Sequence, residues 1–165
     1  RFGDGRRFSA AARSSFGRGS REFGVFLLPP PHHVEICFVV PFQHTEPIRL
    51  DDQPAYEERI YTLAVANGAY FGGGMNIAPD AQIDDGTFDV ATIGDLSFVE
   101  ALRLGSLIYK GEQARMSKVA TRRARRIVIE PVDPNEKVLL DVDGETPGRL
   151  PATFTLLPGS LLYRG

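Results

Sequence analysis

The sequence predicts a mainly β protein: an antiparallel β-sandwich with one principal α-helix at about residues 97–110. Three observations predict it. From Val34 onward, short apolar runs of strand length are separated by turn signals such as Asp51-Asp52-Gln53-Pro54, Asp133-Pro134 and Asp143-Gly144. A single segment, starting at Ser97, joins helical spacing to a helix-start signal. One helix among many short strands packs most simply as two layers of sheet.

Residues 1–22 are rich in Arg, Gly, Ser and Ala and show no periodicity, a composition that cannot bury enough surface to offset chain entropy. They are expected to be disordered. Pro29-Pro30-Pro31 makes a stiff spacer. His32 and His33, with no third ligand nearby, read as solvated loop residues rather than a metal site. The chain thus divides into a leader, 1–33, and a sandwich domain, 34–165.

Within the domain, VEICFVV and EPIRL read as strands. In IYTLAVAN, Ile60, Thr62 and Ala64 alternate with Tyr61, Leu63 and Val65, so both faces are apolar and the strand should lie between layers. Asn67 to Asp89 follows, with three glycines (Gly72, Gly73, Gly74) and the acids Asp80, Asp84, Asp85 and Asp89. Consecutive glycines suggest a loop with a geometric task. Phe88 to Ile93 is the next strand. Ser97 and Glu100 form a capping-box pattern, Val99, Leu102, Leu107 and Ile108 supply an apolar stripe, and Gly111 ends the helix. Strands resume at Arg126–Glu130, Lys137–Val142, Thr153–Leu157 and Leu161–Tyr163.

Bulk composition bounds function. The 165 residues suffice for one domain with a core, and 42% hydrophobic with 24% charged residues is ordinary for a globular chain. A net charge of −2 argues against a general nucleic-acid binder. Cys37 is the only cysteine, which excludes an internal disulfide or Cys-based zinc site and suits a reducing cytoplasm. No apolar run approaches the roughly 20 residues of a spanning helix. The chain opens at Arg1 rather than Met, as a fragment or processed product would.

Four constellations carry potential chemistry. An EF-hand starting at Asp80 fails, since Asp85 falls where Gly is needed and Ala91 where Glu is needed. A looser Mg²⁺ or Ca²⁺ site around the Asp85 carboxylate and nearby carbonyls remains open, beside a plain turn in which Asp84 and Asp85 bond backbone N–H groups. The glycine triplet is no Walker A loop, because no Lys-Ser/Thr follows. Asp143-Gly144 is a hairpin signal, and Glu145 beside it is either a plain strand residue or a general base toward a hydroxyl. Arg122, Arg123, Arg125 and Arg126 could meet a phosphate or an anionic membrane, or simply form a solvated strand edge. Spacing alone favours the plain alternative in each case.

The order of these pieces resembles a known family. Asn67-Gly68, Tyr70 to Met75, Ile77 to Ala81, Asp84-Asp85-Gly86 and Phe88-Asp89-Val90 look like the C-terminal half of bacterial diacylglycerol kinase-like (YegS-like) lipid kinases, relatives of sphingosine and ceramide kinases. Ile93-Gly94-Asp95, Tyr109-Lys110-Gly111, Ile129-Glu130, Asp143-Gly144-Glu145, Leu150 to Phe154 and Leu157-Pro158-Gly159 continue the series, over roughly Ile60 to Leu162. The resemblance implies an ATP-dependent kinase phosphorylating a lipid hydroxyl, diacylglycerol or a related lipid. It implies Glu145 as general base, and Mg²⁺ held by the Asp85 carboxylate with backbone oxygens of Gln82 and Thr87. It also implies a cytoplasmic protein in peripheral contact with the inner face of the membrane, with no nucleic-acid partner and room for a homodimer.

The family's Gly-Gly-Asp-Gly-Thr nucleotide loop has no counterpart, since Gly3-Asp4-Gly5 is flanked by Phe2 and Arg6 and stands too close to the sandwich. The nucleotide domain is therefore expected to be missing, and the chain inactive alone. Two competing readings are a non-catalytic β-sandwich module binding lipid or protein, and a soluble kinase acting on a non-lipid alcohol.

Overall fold

The computed structural model describes the backbone of residues 6–8, 21–23, 36–39, 44–142, 145–158 and 161–163, and the side chains of 47–142 and 146–158. In chain order the strands are β1 (Arg6–Phe8), β2 (Arg21–Phe23), β3 (Ile36–Val39), β4 (His44–Leu50), β5 (Tyr56–Ala66), β6 (Tyr70–Phe71), β7 (Met75–Asn76) and β8 (Phe88–Gly94). Helix α1 (Phe98–Ile108) follows, then β9 (Val119–Ala124), β10 (Arg126–Ile129), β11 (Leu139–Val142), β12 (Glu145–Arg149), β13 (Ala152–Thr155) and β14 (Leu161–Tyr163). Within the leader, β1 pairs with β14 and β2 runs parallel to β13. The readings of Gly3 to Gly5, Pro29 to Pro31 and His32-His33 lie outside the described residues.

Strand β5 joins the two layers. Its C-terminal half is flanked by β3 (Cys37↔Val65) and β8 (Val65↔Val90), while its N-terminal half pairs with β4 (His44↔Ile60). From β3 the sheet continues to β11 and β12, from β4 to β10, β13 and β2, and from β8 to β9. Both branches send side chains into one core that includes Ile48, Leu63, Val65, Phe88, Val90, Ile127, Leu140 and Phe154. That shared core makes the architecture a sandwich, as expected.

The two apolar faces of β5 are both used. Leu63 and Val65 enter the inter-sheet core, while Ala64 and Ala66 face a second cluster with Ile77, Ala78, Ala91, Ile93, Leu104 and Ile108. Alanines on that outer face leave room for α1 and the loop after β7 to approach the sheet closely.

Helix α1 begins as its sequence predicts: the Ser97 side chain accepts from the Glu100 N–H, and the Ser97 N–H donates to Glu100 Oε2 at 2.8 Å. Its buried stripe differs. Leu104 and Ile108 are buried and Ala101 and Leu107 partly so, whereas Val99 and Leu102 are exposed. The helix is apolar on two sides, and periodicity cannot say which side meets the sheet. Gly111, at φ +68°, turns the chain after it. Strand β12 is the second strand of the hairpin expected at Asp143-Gly144; it runs on through Pro147 and Gly148, which both disfavour strands and kept its extent from being read in the sequence. Among the described residues, strand β9 pairs only with β8, so Arg122 and Arg123 do lie on an edge strand.

Candidate functional site

Gly72–Gly74 form a single 3-10 turn between β6 and β7, with φ of +24°, +70° and +91°. Side chains rarely tolerate such angles, so the triplet's task is to reverse the chain. The returning segment is pinned from a distance: the buried Gln113 donates from Nε2 to the carbonyls of Asn76 and Ile77, both at 2.8 Å. Gly111 adds a close approach, because a Cβ there would lie 2.9 Å from Asn76 Nδ2 and 3.2 Å from Pro79 Cβ.

The chain then turns through Gln82 to Thr87. The Asp85 N–H donates to the Gln82 carbonyl at 3.5 Å, and Gly86 takes φ +75°. Thr87 donates to Asp85 Oδ1 twice, from its N–H at 2.9 Å and its hydroxyl at 2.8 Å. The turn expected around Asp85 is present. Asp85 does more than make it, because its Oδ2 lies 3.3 Å from the Arg123 guanidinium. Arg123 also reaches Asp89 Oδ1 at 3.3 Å and donates to the Asp80 carbonyl at 3.2 Å. Three aspartates recognisable from sequence thus converge on one cation from β9, while Asp84 points to solvent. Burial pushes the Asp89 carboxyl above its ordinary pKa, and the Arg123 charge opposes that rise.

Two carboxylates against one guanidinium leave surplus negative charge, and Asp85 Oδ2 and Asp89 Oδ2 are buried without a hydrogen bond. Such hard oxygens suit Mg²⁺ or Ca²⁺. Among the described residues, no group of three His, Cys, Asp or Glu side chains could hold a metal ion. A cation here would therefore draw on backbone oxygens as well as the Asp85 carboxylate.

Glu145 opens β12 and pairs with Val142 of β11, leaving a two-residue connection. That spacing matches the hairpin expected there, although Asp143, Gly144 and the Glu145 side chain lie outside the described residues. Pairing passes from Leu140↔Gly148 to Val142↔Glu145, so β12 carries one extra residue, a bulge that bends the strand just after the turn. One cross-strand row runs Glu145, Val142, Cys37, Val65, Val90. Glu145 therefore sits at the same end of the sheet as the aspartate turn before β8. Four strand spacings separate Glu145 from Val90 of β8, roughly 19 Å measured along the sheet. Gln82, Asp85 and Thr87 are brought together; Glu145 is not joined to them.

The basic run is dispersed. Arg122 stacks 4.6 Å from the Tyr56 ring centroid and lies 3.4 Å from Glu58, and Arg123 serves the aspartates. The backbone N–H groups of Arg125 and Arg126 donate to Asp51 Oδ1. Sequence reasoning missed Gln113 and the bridging role of Arg123. Their partners lie 36 or more and 34 or more positions away, so no local pattern signals them.

Comparison with known proteins fits this geometry. The family profile of the YegS C-terminal NAD kinase beta sandwich-like domain matches residues 40–163. The chain belongs to that family. Among curated relatives, a protein named "Probable lipid kinase YegS-like" from Xanthomonas euvesicatoria is 38% identical over 91 residues, covering 55% of this chain and 29% of the relative. A diacylglycerol kinase from Bacillus subtilis is 31% identical over 101 residues, covering 61% of this chain and 32% of its own length. The chain thus spans about a third of the relatives it matches. A solved diacylglycerol kinase structure from Bacillus anthracis superposes with TM-score 0.60 at 21% identity, over 78% of this chain and 51% of that one, a likeness of fold.

Proposed function

We propose that this domain is the acceptor-side part of an ATP-dependent lipid kinase, which moves the ATP γ-phosphate to a lipid hydroxyl such as that of diacylglycerol. The observation that supports the reading is membership of a family whose relatives are named as kinases, together with the register Val142↔Glu145, in which the backbone of the candidate base follows a two-residue connection. The Glu145 carboxylate takes the hydroxyl proton as the lipid oxygen forms its bond to the γ-phosphorus, while the bond to the ADP oxygen breaks and ADP leaves. A divalent cation held by the Asp85 carboxylate with the Gln82 and Thr87 carbonyls would neutralise the turn's surplus charge. That cation would brace the turn, which lies four strands along the sheet from the Glu145 backbone. The nucleotide is held by another part of the protein, so the domain alone transfers no phosphate. The enzyme works in the cytoplasm, at the inner face of the membrane.

The test grafts residues 34–165 in place of the matching domain of the Bacillus subtilis diacylglycerol kinase. Phosphate transfer from ATP to diacylglycerol in mixed micelles with Mg²⁺ is then measured. Transfer by the chimera and none by the domain alone is expected. Transfer at the chimera's rate by the domain alone would refute the division of labour. A folded chimera with no transfer would favour a non-catalytic sandwich.

A further inference from the structure

The face of α1 turned away from the sheet is apolar. Phe98 is 79% exposed, Val99 73%, Leu102 62% and, just past the helix, Tyr109 59%. Phe98, Leu102 and Tyr109 lie four and eleven positions apart and so share one side, with Gly105 between them. Arg103 and Lys110, seven apart and both exposed, line one flank. From 98 to 110 the only acid is Glu100, and its charge is taken up by Lys118 at 2.8 Å and by the Ser97 cap. Asp95, just before the helix, is paired with Arg59. The face is thus hydrophobic with a positive border in a chain of net charge −2.

We propose that this face of α1 is a docking surface for an anionic phospholipid bilayer. Apolar side chains would enter the acyl boundary while Arg103 and Lys110 reach the headgroup phosphates, their stems lying along the apolar surface. The charge pattern selects this occupant: a positive border with its one acid neutralised complements anionic headgroups. The 11-residue helix is also far too short to span a bilayer, so it lies in the interface plane. The inference deepens the lipid-kinase reading, since an enzyme acting on a bilayer lipid must reach the bilayer, yet it stands on residues remote from Glu145.

The chain contains no tryptophan, so Phe98→Trp installs a single reporter. With vesicles of phosphatidylcholine containing phosphatidylglycerol, free of diacylglycerol and ATP, its emission should shift to shorter wavelength. Vesicles of phosphatidylcholine alone should give little shift. In flotation, Phe98→Ser with Leu102→Ser should lower the vesicle-bound fraction about tenfold or more, because two apolar anchors are lost. Arg103→Gln with Lys110→Gln should lower it severalfold and remove its salt dependence. Circular dichroism confirms that each variant is folded. No binding of the wild-type chain, or equal binding by the double serine variant, overturns the proposal. So does a concentration-dependent dimer that only the serine variant dissociates, which would make the face a contact between copies. Because these vesicles hold neither substrate, binding without any phosphate transfer in the chimera would refute the kinase reading alone. Transfer to a soluble short-chain diacylglycerol without vesicle binding would refute the docking surface alone.

Discussion

Replacing Arg123 by Met would leave Asp85 and Asp89 facing each other without the guanidinium that lies 3.3 Å from both. Removing one partner of a well-buried charge pair is far costlier than the pair's net worth, but Arg123 is half exposed and solvent screens part of the effect. The expected loss is about 1–3 kcal/mol, read as a lower urea midpoint. Mg²⁺ should raise the midpoint more in Arg123→Met than in wild type, since a cation can replace the missing charge. Adding Asp85→Ala should abolish that response, and a magnesium titration unchanged by either substitution would reduce the turn to a purely structural feature. Gln113→Ala removes one buried and one partly buried hydrogen bond that hold the Asn76–Ile77 backbone, with an expected cost of about 2–3 kcal/mol in the same measurement.

At the scale of elements, the start of α1 is a charge-dependent joint. The hydrogen bond from Lys118, with those from Ser97, pulls the Glu100 carboxyl from the usual 4.5 down to about 2. A depressed carboxylate pKa stabilises the fold when ionised, so the contribution is full above pH 4.5 and lost as pH falls toward 2. Amide protection in the first turn of α1, taken relative to the intrinsic exchange rate at each pH, should fall as pH drops through that window in wild type. Glu100→Gln should exchange faster at neutral pH and lose the dependence.

The same elements show what the sequence made legible. The capping box, the two-faced β5 and the glycine turn were readable because each is a local pattern with a local cause. The face α1 turns to the sheet was not, since Val99 and Leu102 are as apolar as Leu104 and Ile108. The start of β12 was legible in the Asp143-Gly144 turn, but its extent was hidden by Pro147 and Gly148, tolerated there on an edge strand with a bulge.

For the whole molecule, the sandwich and its family followed from the order of short motifs, none of them decisive alone. The spatial relation between the sites did not. Asp85 and Glu145 are 60 positions apart in sequence (145 − 85 = 60), and only the strand register shows that they share an end of the sheet yet stand four strands apart. That separation sets the turn, with its proposed bracing cation, apart from the hairpin proposed for proton transfer.

The most direct test of this assignment is Glu145→Gln in the chimera that carries residues 34–165, assayed for phosphate transfer from ATP to diacylglycerol. The substitution keeps the size of the side chain and removes its basicity. Loss of about 10²–10⁴-fold in turnover, with the fold and Mg²⁺ response intact, is the predicted result. Turnover within a few-fold of the parent chimera would contradict it and remove Glu145 from the proton-transfer role.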